Sequence, residues 1–220
     1  MPLSRAKKMS NPWEEISLDD YENHMSLDSV RQLQTMNQIM RQQLEAYCVK
    51  TAMILGVAGG NGLEYISGEK YIKVYGVDIN SDYLHETEKR YPNLSGILEC
   101  LKADLVSEYG KLPQAQLLIA NLLIEYIGYL SFQKVVMQVK PQFVSCTIQV
   151  NADTTKGWVS DSPYLHAFDR LDEIHHQMED LALEQAMQKI GYQPISHNNY
   201  PLPNGKALSR LDFKKQYQEV

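Results

Sequence analysis

The sequence predicts an α/β fold built on a doubly wound, mostly parallel sheet, and three observations predict it. An apolar run of strand length at residues 51–57 opens into a glycine cluster at 58–62. A second apolar run at 73–77 ends on Asp78. Further apolar runs alternate with helix-like segments, and the last two flank a turn at 201–205. Because this alternation is typical of parallel sheets, we expect five parallel strands followed by an antiparallel hairpin.

The chain divides into three parts. Residues 1–11 are polar and basic without periodicity, which predicts a disordered tail. Residues 12–47 mix aromatic, apolar and acidic side chains, and they predict an N-terminal helical cap whose helix starts from caps at 26–29. With 220 residues and 44% hydrophobic content in the whole chain, the remainder, 48–220, is long enough for one α/β domain with a single core.

The strands and helices of this domain follow from the same patterns. Strands are predicted at residues 51–57, 73–77, 97–103, 117–121, 142–150, 192–200 and 207–213. Helices are predicted from Asn80 or Ser81 to Tyr91, over 122–139 and over 177–190, and residues 63–66 are expected to begin another. The segment 151–176 leaves this alternation at the carboxyl end of the fifth strand. Open α/β sheets bind ligands at that edge, so the segment is predicted to be a substrate lid.

The glycine cluster and Asp78 together indicate a nucleoside-containing cofactor. A glycine turn lets a ligand approach the main chain, whose N–H groups are exposed at the start of the next helix. A carboxylate that ends the second strand lies beside that turn and can accept hydrogen bonds from both hydroxyls of a ribose. The alternative interpretation is structural, because tight strand-to-helix turns favour glycine and an Asp at this place often caps the next helix.

The register of the glycines selects among nucleoside cofactors. Residues 56–62, Gly-Val-Ala-Gly-Gly-Asn-Gly, cannot be aligned with the dinucleotide pattern G-x-G-x-x-G. They resemble the first motif of class I S-adenosylmethionine-dependent methyltransferases, in which a strand ends in an acid and a hydrophobic residue before glycines at alternate positions. Gly56 stands where that family usually has the acid, and Ala58 stands at its first glycine. Because the acid helps to hold the cofactor's ammonium group in the family, another group must do so here.

Three further segments carry the same resemblance. The second apolar run resembles the second motif, which implies that Asp78 binds the ribose and Ile79 packs on adenine. Residues 101–105 resemble the third motif and imply that Asp104 lies near the adenine amino group, while Asn121 faces the transferable methyl. The resemblance implies a Rossmann-like seven-stranded fold, S-adenosylmethionine as cofactor and S-adenosylhomocysteine as product. The cofactor-binding residues that it implies are Gly56, Val57, Ala58, Gly60, Asn61, Asp78, Ile79, Asp104, Leu105 and Asn121.

Side chains that follow the fourth and fifth strands are the candidates for binding the methyl acceptor. The resemblance also implies that residues 21–25 close over the methionine end of the cofactor, although Tyr21 and Met25 could equally anchor this segment on the core. The adjacent His175 and His176 are predicted to be surface or lid residues. The predicted substrate and lid residues are Tyr21, His24, Glu125, Tyr126, Trp158, Tyr164 and His166.

Composition limits the partners. The formal net charge of −6 repels nucleic acid and anionic membranes. Asn121 is followed by Leu-Leu-Ile and not by the Pro-Pro-Tyr of amino-methylating DNA enzymes, which also favours a small-molecule acceptor. No apolar run approaches the roughly 20 residues of a membrane span, so a cytoplasmic protein is expected. The 3 cysteines are far apart and odd in number, which predicts reduced core thiols and no metal site.

Two other classes of function stay open at this point. An NAD-dependent oxidoreductase would also have a strand, a glycine turn and an acid at the end of the second strand. A non-catalytic nucleoside-binding protein could keep the same fold, in keeping with Gly56 in place of an acid. Methyl transfer from a sulfonium has a neutral leaving group, so it requires positioning more than an acid/base signature. The sequence therefore predicts methyl transfer to a small molecule without identifying a catalytic residue, the acceptor or the oligomeric state.

Overall fold

The computed structural model describes residues 10–151 and 158–216, and its central element is a seven-stranded sheet. The strands are β1 Thr51–Leu55, β2 Lys73–Asp78, β3 Leu98–Lys102, β4 Leu117–Asn121, β5 Phe143–Asn151, β6 Tyr192–Pro201 and β7 Lys206–Lys215. Their order across the sheet is β3-β2-β1-β4-β5-β7-β6. The first five strands are parallel, and β7 pairs antiparallel with both β5 and β6. The predicted mostly parallel sheet with a C-terminal hairpin is confirmed.

Helices cover both faces of this sheet. The α-helices are α1 Leu18–Ser26, α2 Gln32–Ala46, α3 Ser81–Arg90, α4 Ile124–Val139 and α5 Asp180–Gln188. The 3-10 helices are Pro12–Glu14, Leu63–Tyr65, Pro92–Leu94, Tyr109–Lys111 and Leu165–Glu173. No helix among the described residues is long and apolar enough to cross a membrane.

The side chains of the central strands explain why helices cover both faces of the sheet. Successive side chains of a strand point to opposite faces, and the apolar run of β1 supplies both. Ala52 and Ile54 pack in a core cluster with α2 and α3, whereas Met53 and Leu55 pack in a second cluster with α4 and α5. All four side chains are at most 2% exposed. A continuous apolar strand therefore separates two cores, as expected of a doubly wound sheet.

The prediction that a helix begins at residues 63–66 is wrong, because only the 3-10 turn Leu63–Tyr65 forms there. The chain leaves this turn through Ser67, whose carbonyl oxygen accepts hydrogen bonds from the N–H groups of Lys70 and Tyr71. The Tyr71 hydroxyl then donates to the carbonyl oxygen of Leu44, at 2.7 Å. This anchor returns the chain directly to β2, so there is no length left for a helix.

The N-terminal cap contains two helices where one was predicted. Ser17 caps α1 by accepting a hydrogen bond from the N–H of Asp20, at 3.1 Å. The helix α2 begins after Arg31, which has a left-handed backbone (φ 51°) and makes no side-chain capping bond. The predicted caps at 26–29 are therefore wrong. The break places Val30, which is fully buried, between the two helices, so each helix can pack in its own direction.

Several boundaries also differ from the prediction. β1 ends at Leu55 because Gly56 takes a positive φ of 67°. The helix α4 is interrupted at Gly128, whose backbone is not helical. Cys48 is exposed, so it is not the core thiol that was expected. Residues 1–9 of the predicted tail and 152–157 of the predicted lid lie outside the described residues.

Candidate functional site

The turn after β1 is joined directly to the acid that ends β2. Gly56 and Val57 donate N–H hydrogen bonds to the carbonyl oxygen of Val77, at 2.8 and 3.1 Å. The N–H of Ala58 donates to Asp78 Oδ2, at 2.9 Å. Ala58 itself has a left-handed backbone (φ 47°), which its small side chain tolerates better than a branched one would. The turn and the carboxylate therefore form one unit at the carboxyl edge of the sheet.

Asp78 is buried and keeps hydrogen-bonding capacity. Its other oxygen, Oδ1, accepts a hydrogen bond from the N–H of Asn80, at 2.9 Å, and the residue is 8% exposed. Burial raises the pKa of Asp78, and the main-chain hydrogen bonds from Asn80, Ala58 and Ile79 act in the opposite direction. Each carboxylate oxygen can accept more than one hydrogen bond, so both can also receive a donor from a ligand.

A cavity opens in front of this carboxylate, and we call it the Asp78 cavity. It has about 700 Å³ of space free of protein atoms, a figure that includes open solvent at its mouth. It lies at the carboxyl ends of β1 and β4, where the strand order of the sheet reverses. The predicted cofactor residues that line it are Gly56, Ala58, Asp78, Ile79, Asp104, Leu105 and Asn121.

Asp104 also lines the Asp78 cavity, and it lies in the turn after β3. Its Oδ1 accepts from the N–H of Val106 at 2.9 Å, and its Oδ2 accepts from the hydroxyl of Ser107 at 2.7 Å. These local bonds hold the carboxylate in place at the cavity wall. Leu105 is buried beside it, so an apolar surface and an acceptor adjoin at this end of the cavity.

A second space, the Glu22 cavity, lies between α1, α2 and the glycine turn. Predicted residues Val57 and Asn61 line this cavity and not the first. Glu22 is the one charged residue among the described residues that line it. Its carboxylate forms a two-pronged ion pair with Arg90, with oxygen to nitrogen distances of 2.5 and 3.0 Å. An acid from α1 therefore lies beside the strand end where Gly56 provides none.

The glycines of the turn serve chiefly to admit the surrounding side chains. A Cβ on Gly59 would lie 2.7 Å from Arg90 Nη1, and one on Gly62 would lie 2.6 Å from Met40 Cβ. Gly60 lines neither the Asp78 cavity nor the Glu22 cavity, and the ring of Tyr91 lies 2.7 Å from where its Cβ would be. The structure therefore does not bring Gly60 to the site, although the motif predicted it.

Asn121 is held by a buried residue that the sequence did not single out. Gln43 of α2 donates to Asn121 Oδ1 at 2.9 Å, and Asn121 donates back to Gln43 Oε1 at 2.8 Å. Gln43 is fully buried. A glutamine inside the apolar stripe of α2 was the available signal, since a buried amide needs a partner. The next residue, Leu122, has a positive φ of 51°, a strained geometry that is common at functional sites.

A third space, the Glu125 cavity, adjoins the Asp78 cavity. Glu125 is 3% exposed, and its Oε1 accepts a hydrogen bond from the N–H of Gln149 at 2.8 Å. Its Oε2 has no hydrogen-bond partner among the residues that the structure describes. Burial raises the pKa of Glu125 to about 7. Glu125 therefore lines this cavity, and one oxygen of its buried carboxylate is unsatisfied.

Several aromatic rings line the Glu125 cavity. Trp13 meets Tyr126 edge to face, with ring centroids 4.9 Å apart. Trp158 stacks on His175 at 3.9 Å and meets Tyr126 at 6.1 Å. The predicted residues that line the cavity are Tyr21, His24, Glu125, Tyr126 and Trp158. Trp13 and His175 also line it, and the sequence analysis assigned neither to the acceptor site.

Two predicted substrate residues lie elsewhere. His166 is exposed, and Tyr164 packs in the aromatic cluster without lining any of the three cavities. The 3-10 helix Leu165–Glu173 explains this, because its period of three turns Phe168 and Leu171 inward together. His166 is therefore directed away from the core. The structure therefore brings neither side chain to the three cavities, and a role of either in acceptor binding stays a prediction.

His24 is placed as a packing residue at the edge of the Glu125 cavity. Its Nδ1 forms a hydrogen bond with the hydroxyl of Ser162, at 2.7 Å. Its ring lies 4.8 Å from that of Phe168. Burial lowers the pKa of His24 and so favours the neutral ring. It links α1 to the segment that follows residue 158.

The three cavities meet at two side chains. Tyr21 and Leu122 line all of them. Trp13 and Tyr126 line both the Asp78 cavity and the Glu125 cavity. A ligand that fills the Asp78 and Glu22 cavities would therefore present its middle to the Glu125 cavity at this junction.

No family model and no curated protein sequence matches the chain. Its structure is similar to that of magnesium protoporphyrin IX methyltransferase (ChlM) from Synechocystis PCC 6803 with bound SAH, with a TM-score of 0.65 and 9% identity, covering 90% of this chain and 94% of that one. It is similar to N-methyltransferase NodS from Bradyrhizobium japonicum WM9 in complex with SAH, with a TM-score of 0.65, 10% identity and coverage of 91% and 98%.

A third similar structure widens the range of chemistry on this fold. The [4+2]-cyclase SpnF matches with a TM-score of 0.64 and 8% identity, covering 84% of this chain and 82% of that chain. At such identities the similarity shows the fold alone. The chain thus has the class I methyltransferase fold that its motifs resemble, and its function has to be argued from the site.

Proposed function

Starting from this fold, we propose that the chain transfers the methyl group of S-adenosylmethionine to a small-molecule acceptor. One observation carries the proposal. The Asp78 cavity lies at the switch point of the sheet, with acids after β2 and β3 and an amide after β4, and it meets a separate aromatic cavity at Tyr21 and Leu122. A nucleoside site and an acceptor site that share a wall are what group transfer between two ligands requires.

The residues of the Asp78 cavity fit an adenosyl group. Asp78 offers a remaining acceptor site on each oxygen for the two ribose hydroxyls. Ile79 and Leu105 provide apolar surface for the adenine ring, and Asp104 provides an acceptor for its amino group. Asn121, fixed by Gln43, would present its amide toward the sulfur end. Each assignment uses a residue that already lines the cavity.

We assign the amino-acid end of the cofactor to the Glu22 cavity. The family's acid is replaced by Gly56, and Glu22 is the acid that lines this space. Its carboxylate keeps acceptor capacity beside the Arg90 pair, so it can receive an ammonium. The glycine turn supplies main-chain groups, and Met36 and Met40 of α2 supply apolar contact.

When bound, the cofactor would supply an activated methyl on a positively charged sulfur. The chain's part is then to hold that sulfur at the junction of the cavities and to exclude water from it. Tyr21, Leu122 and Tyr126 are half-buried there. Holding two reactants in line can supply a large part of the rate acceleration, on the order of 7–11 kcal/mol in favourable cases.

Binding calorimetry with the full chain tests the cofactor. S-adenosylhomocysteine should bind with micromolar affinity and NAD should not. The position of β7, antiparallel between β5 and β6, disfavours an oxidoreductase fold, whose added strands are mostly parallel. Binding of NAD alone would reject our proposal, and binding of neither nucleoside would favour a non-catalytic protein.

Methyl transfer itself needs a second experiment, because a cyclase shares this fold. Purified protein, cofactor with a labelled methyl group and a metabolite extract should yield small-molecule products that gain one labelled methyl. The variant Asp78→Asn should lose at least about tenfold in affinity for S-adenosylhomocysteine, because an amide places donors where main-chain N–H groups already point. Asp82→Asn is the matched control, since Asp82 is exposed on α3.

A further inference from the structure

Glu125 is a buried carboxylate of the site that cofactor binding does not use. It lies in the short stretch 124–127 that precedes the break of α4 at Gly128. Only one of its oxygens is bonded, to the N–H of Gln149. Leaving a buried acceptor without a donor costs about 1–3 kcal/mol. Such a group is explained if a ligand supplies the donor.

The walls around this carboxylate have the chemistry of a cation site. Trp13, Tyr126 and Trp158 line the same cavity, with Tyr21 at its junction with the other two. The faces of aromatic rings attract organic cations, most strongly when water is excluded. A buried carboxylate and several aromatic rings together favour a ligand that is both positively charged and a hydrogen-bond donor.

The other titratable groups around Glu125 do not oppose the binding of a positively charged ligand. Burial lowers the pKa of His24 and of His175, which favours the neutral form of both rings. Lys206 of β7 donates to the carbonyl oxygen of Trp158 and does not line the cavity. Asp172 accepts from Trp158 Nε1, at 2.5 Å. Among the described residues that line the cavity, Glu125 is the one carboxylate.

We propose that the methyl acceptor is an amine that enters the Glu125 cavity as an ammonium ion, held by the Glu125 carboxylate and the surrounding aromatic rings. This proposal rests on the proposed methyl transfer and names its substrate class. An anionic acceptor would meet an acid, and a neutral apolar one would leave Glu125 Oε2 without a donor.

The same carboxylate accepts the proton that an ammonium ion must lose before methylation. An ammonium nitrogen has no free electron pair, so it must lose a proton before it can attack. Glu125 Oε2 takes that proton, and the freed pair forms the N–C bond while the C–S bond breaks and its electrons stay on sulfur. The methylated nitrogen then carries the positive charge. Burial raises the pKa of Glu125 to about 7, which suits proton transfer near neutral pH.

The acceptor class is tested on the wild-type chain with labelled cofactor and matched probes. The probes are benzylamine, 2-phenylethylamine and cyclohexylamine, the alcohols of the same skeletons and the corresponding carboxylic acids, together with cation- and anion-exchange fractions of a metabolite extract. Label should enter amines and the cationic fraction. Label in alcohols, acids or the anionic fraction, or in no fraction, overturns the proposal. If S-adenosylhomocysteine does not bind, the proposed methyl transfer itself fails.

The role of Glu125 is tested with Glu125→Gln, which keeps the shape and removes the charge. With an amine acceptor, kcat should fall about 100-fold or more, and the rise of kcat/KM with pH near 7 should disappear. Affinity for S-adenosylhomocysteine should stay within about twofold. The exposed Glu88→Gln on α3 is the control. An unchanged pH profile, or equal losses of cofactor affinity and kcat, would reduce Glu125 to a structural residue and overturn the proposal.

Discussion

The side-chain amides of Gln43 and Asn121 face each other in a reciprocal pair, with nitrogen to oxygen distances of 2.9 and 2.8 Å. This pair joins the N-terminal cap to the end of β4, at the wall shared by the Asp78 and Glu22 cavities. It therefore couples the docking of α2 to the position of a predicted cofactor residue.

We expect Gln43→Leu to destabilise the chain by about 1–3 kcal/mol, because the half-buried amide of Asn121 loses both partners. Affinity for S-adenosylhomocysteine should fall as well, since Asn121 is then free to turn. Urea unfolding and calorimetry measure the two effects. Gln38→Leu, on the exposed side of α2, should change neither. Equal effects from both substitutions would show that helix packing, not the amide pair, is responsible.

Glu22→Gln should weaken binding of S-adenosylhomocysteine about tenfold and leave binding of 5′-methylthioadenosine unchanged. The second ligand lacks the amino-acid end, so it does not need the acid of the Glu22 cavity. A hydrogen bond to a charged group contributes about 1.5–3 kcal/mol, and the partial exposure of Glu22 reduces that figure.

The control for this comparison is Glu86→Gln. Glu86 also pairs with Arg90, at 3.2 Å, but it does not line the cavity. If Glu22→Gln weakens both ligands alike, its effect comes from displacement of α1, and the assignment of the ammonium to Glu22 is incorrect.

Stability should depend on pH through Glu125. Burial raises its pKa from 4.5 to about 7, so the folded chain binds this proton more tightly than the unfolded chain. The stabilisation is complete below pH 4.5 and is lost as pH rises through about 7. The shift corresponds to about 3 kcal/mol.

Wild type should therefore lose about 3 kcal/mol of unfolding free energy relative to Glu125→Gln when the pH rises from 4.5 to 7.5. Urea unfolding at the two pH values measures it, and Glu88→Gln should follow the wild type. A constant difference between Glu125→Gln and wild type would mean that the folded chain does not shift this pKa.

Gly62→Ala should destabilise the chain more than Gly96→Ala. Both glycines have a left-handed backbone, with φ of 92° and 91°, so alanine costs about 1–2 kcal/mol at each. At Gly62 the new Cβ would also lie 2.6 Å from Met40 Cβ, whereas nothing lies within 4 Å at Gly96. The overpacking adds about 1–3 kcal/mol. Equal losses of stability would show that α2 moves aside freely.

The strands could be predicted because buried parallel strands are nearly continuous apolar runs, and β2 and β4 are clear cases. The acids also follow strand ends, which placed Asp78 and Asp104 in one cavity. Local patterns could not predict that no α-helix follows Gly62, because the path of the chain there depends on the hydrogen bond between Tyr71 and Leu44. Only the packing of distant segments decides such a turn.

The same limit applies to the acceptor side of the site. Trp13 reads as a packing residue in the sequence, and its place in the cavity depends on the path of the whole N-terminal cap. His166 was chosen for its chemistry, but the period of the 3-10 helix turns it outward. The residues of the cofactor motif are close in sequence and could be predicted together, whereas the acceptor cavity is assembled from four separate segments.

The N-terminal cap contributes a wall to each of the three cavities, through Trp13, Tyr21 or Glu22. Its attachment runs through Asn80, which donates to the carbonyl oxygen of Trp13, and Tyr83, which donates to that of Ile16. Binding of a ligand and packing of this segment should therefore stabilise each other, and we expect a ligand that fills the cavities to slow proteolysis and amide exchange of residues 12–26 far more than those of the β6–β7 hairpin.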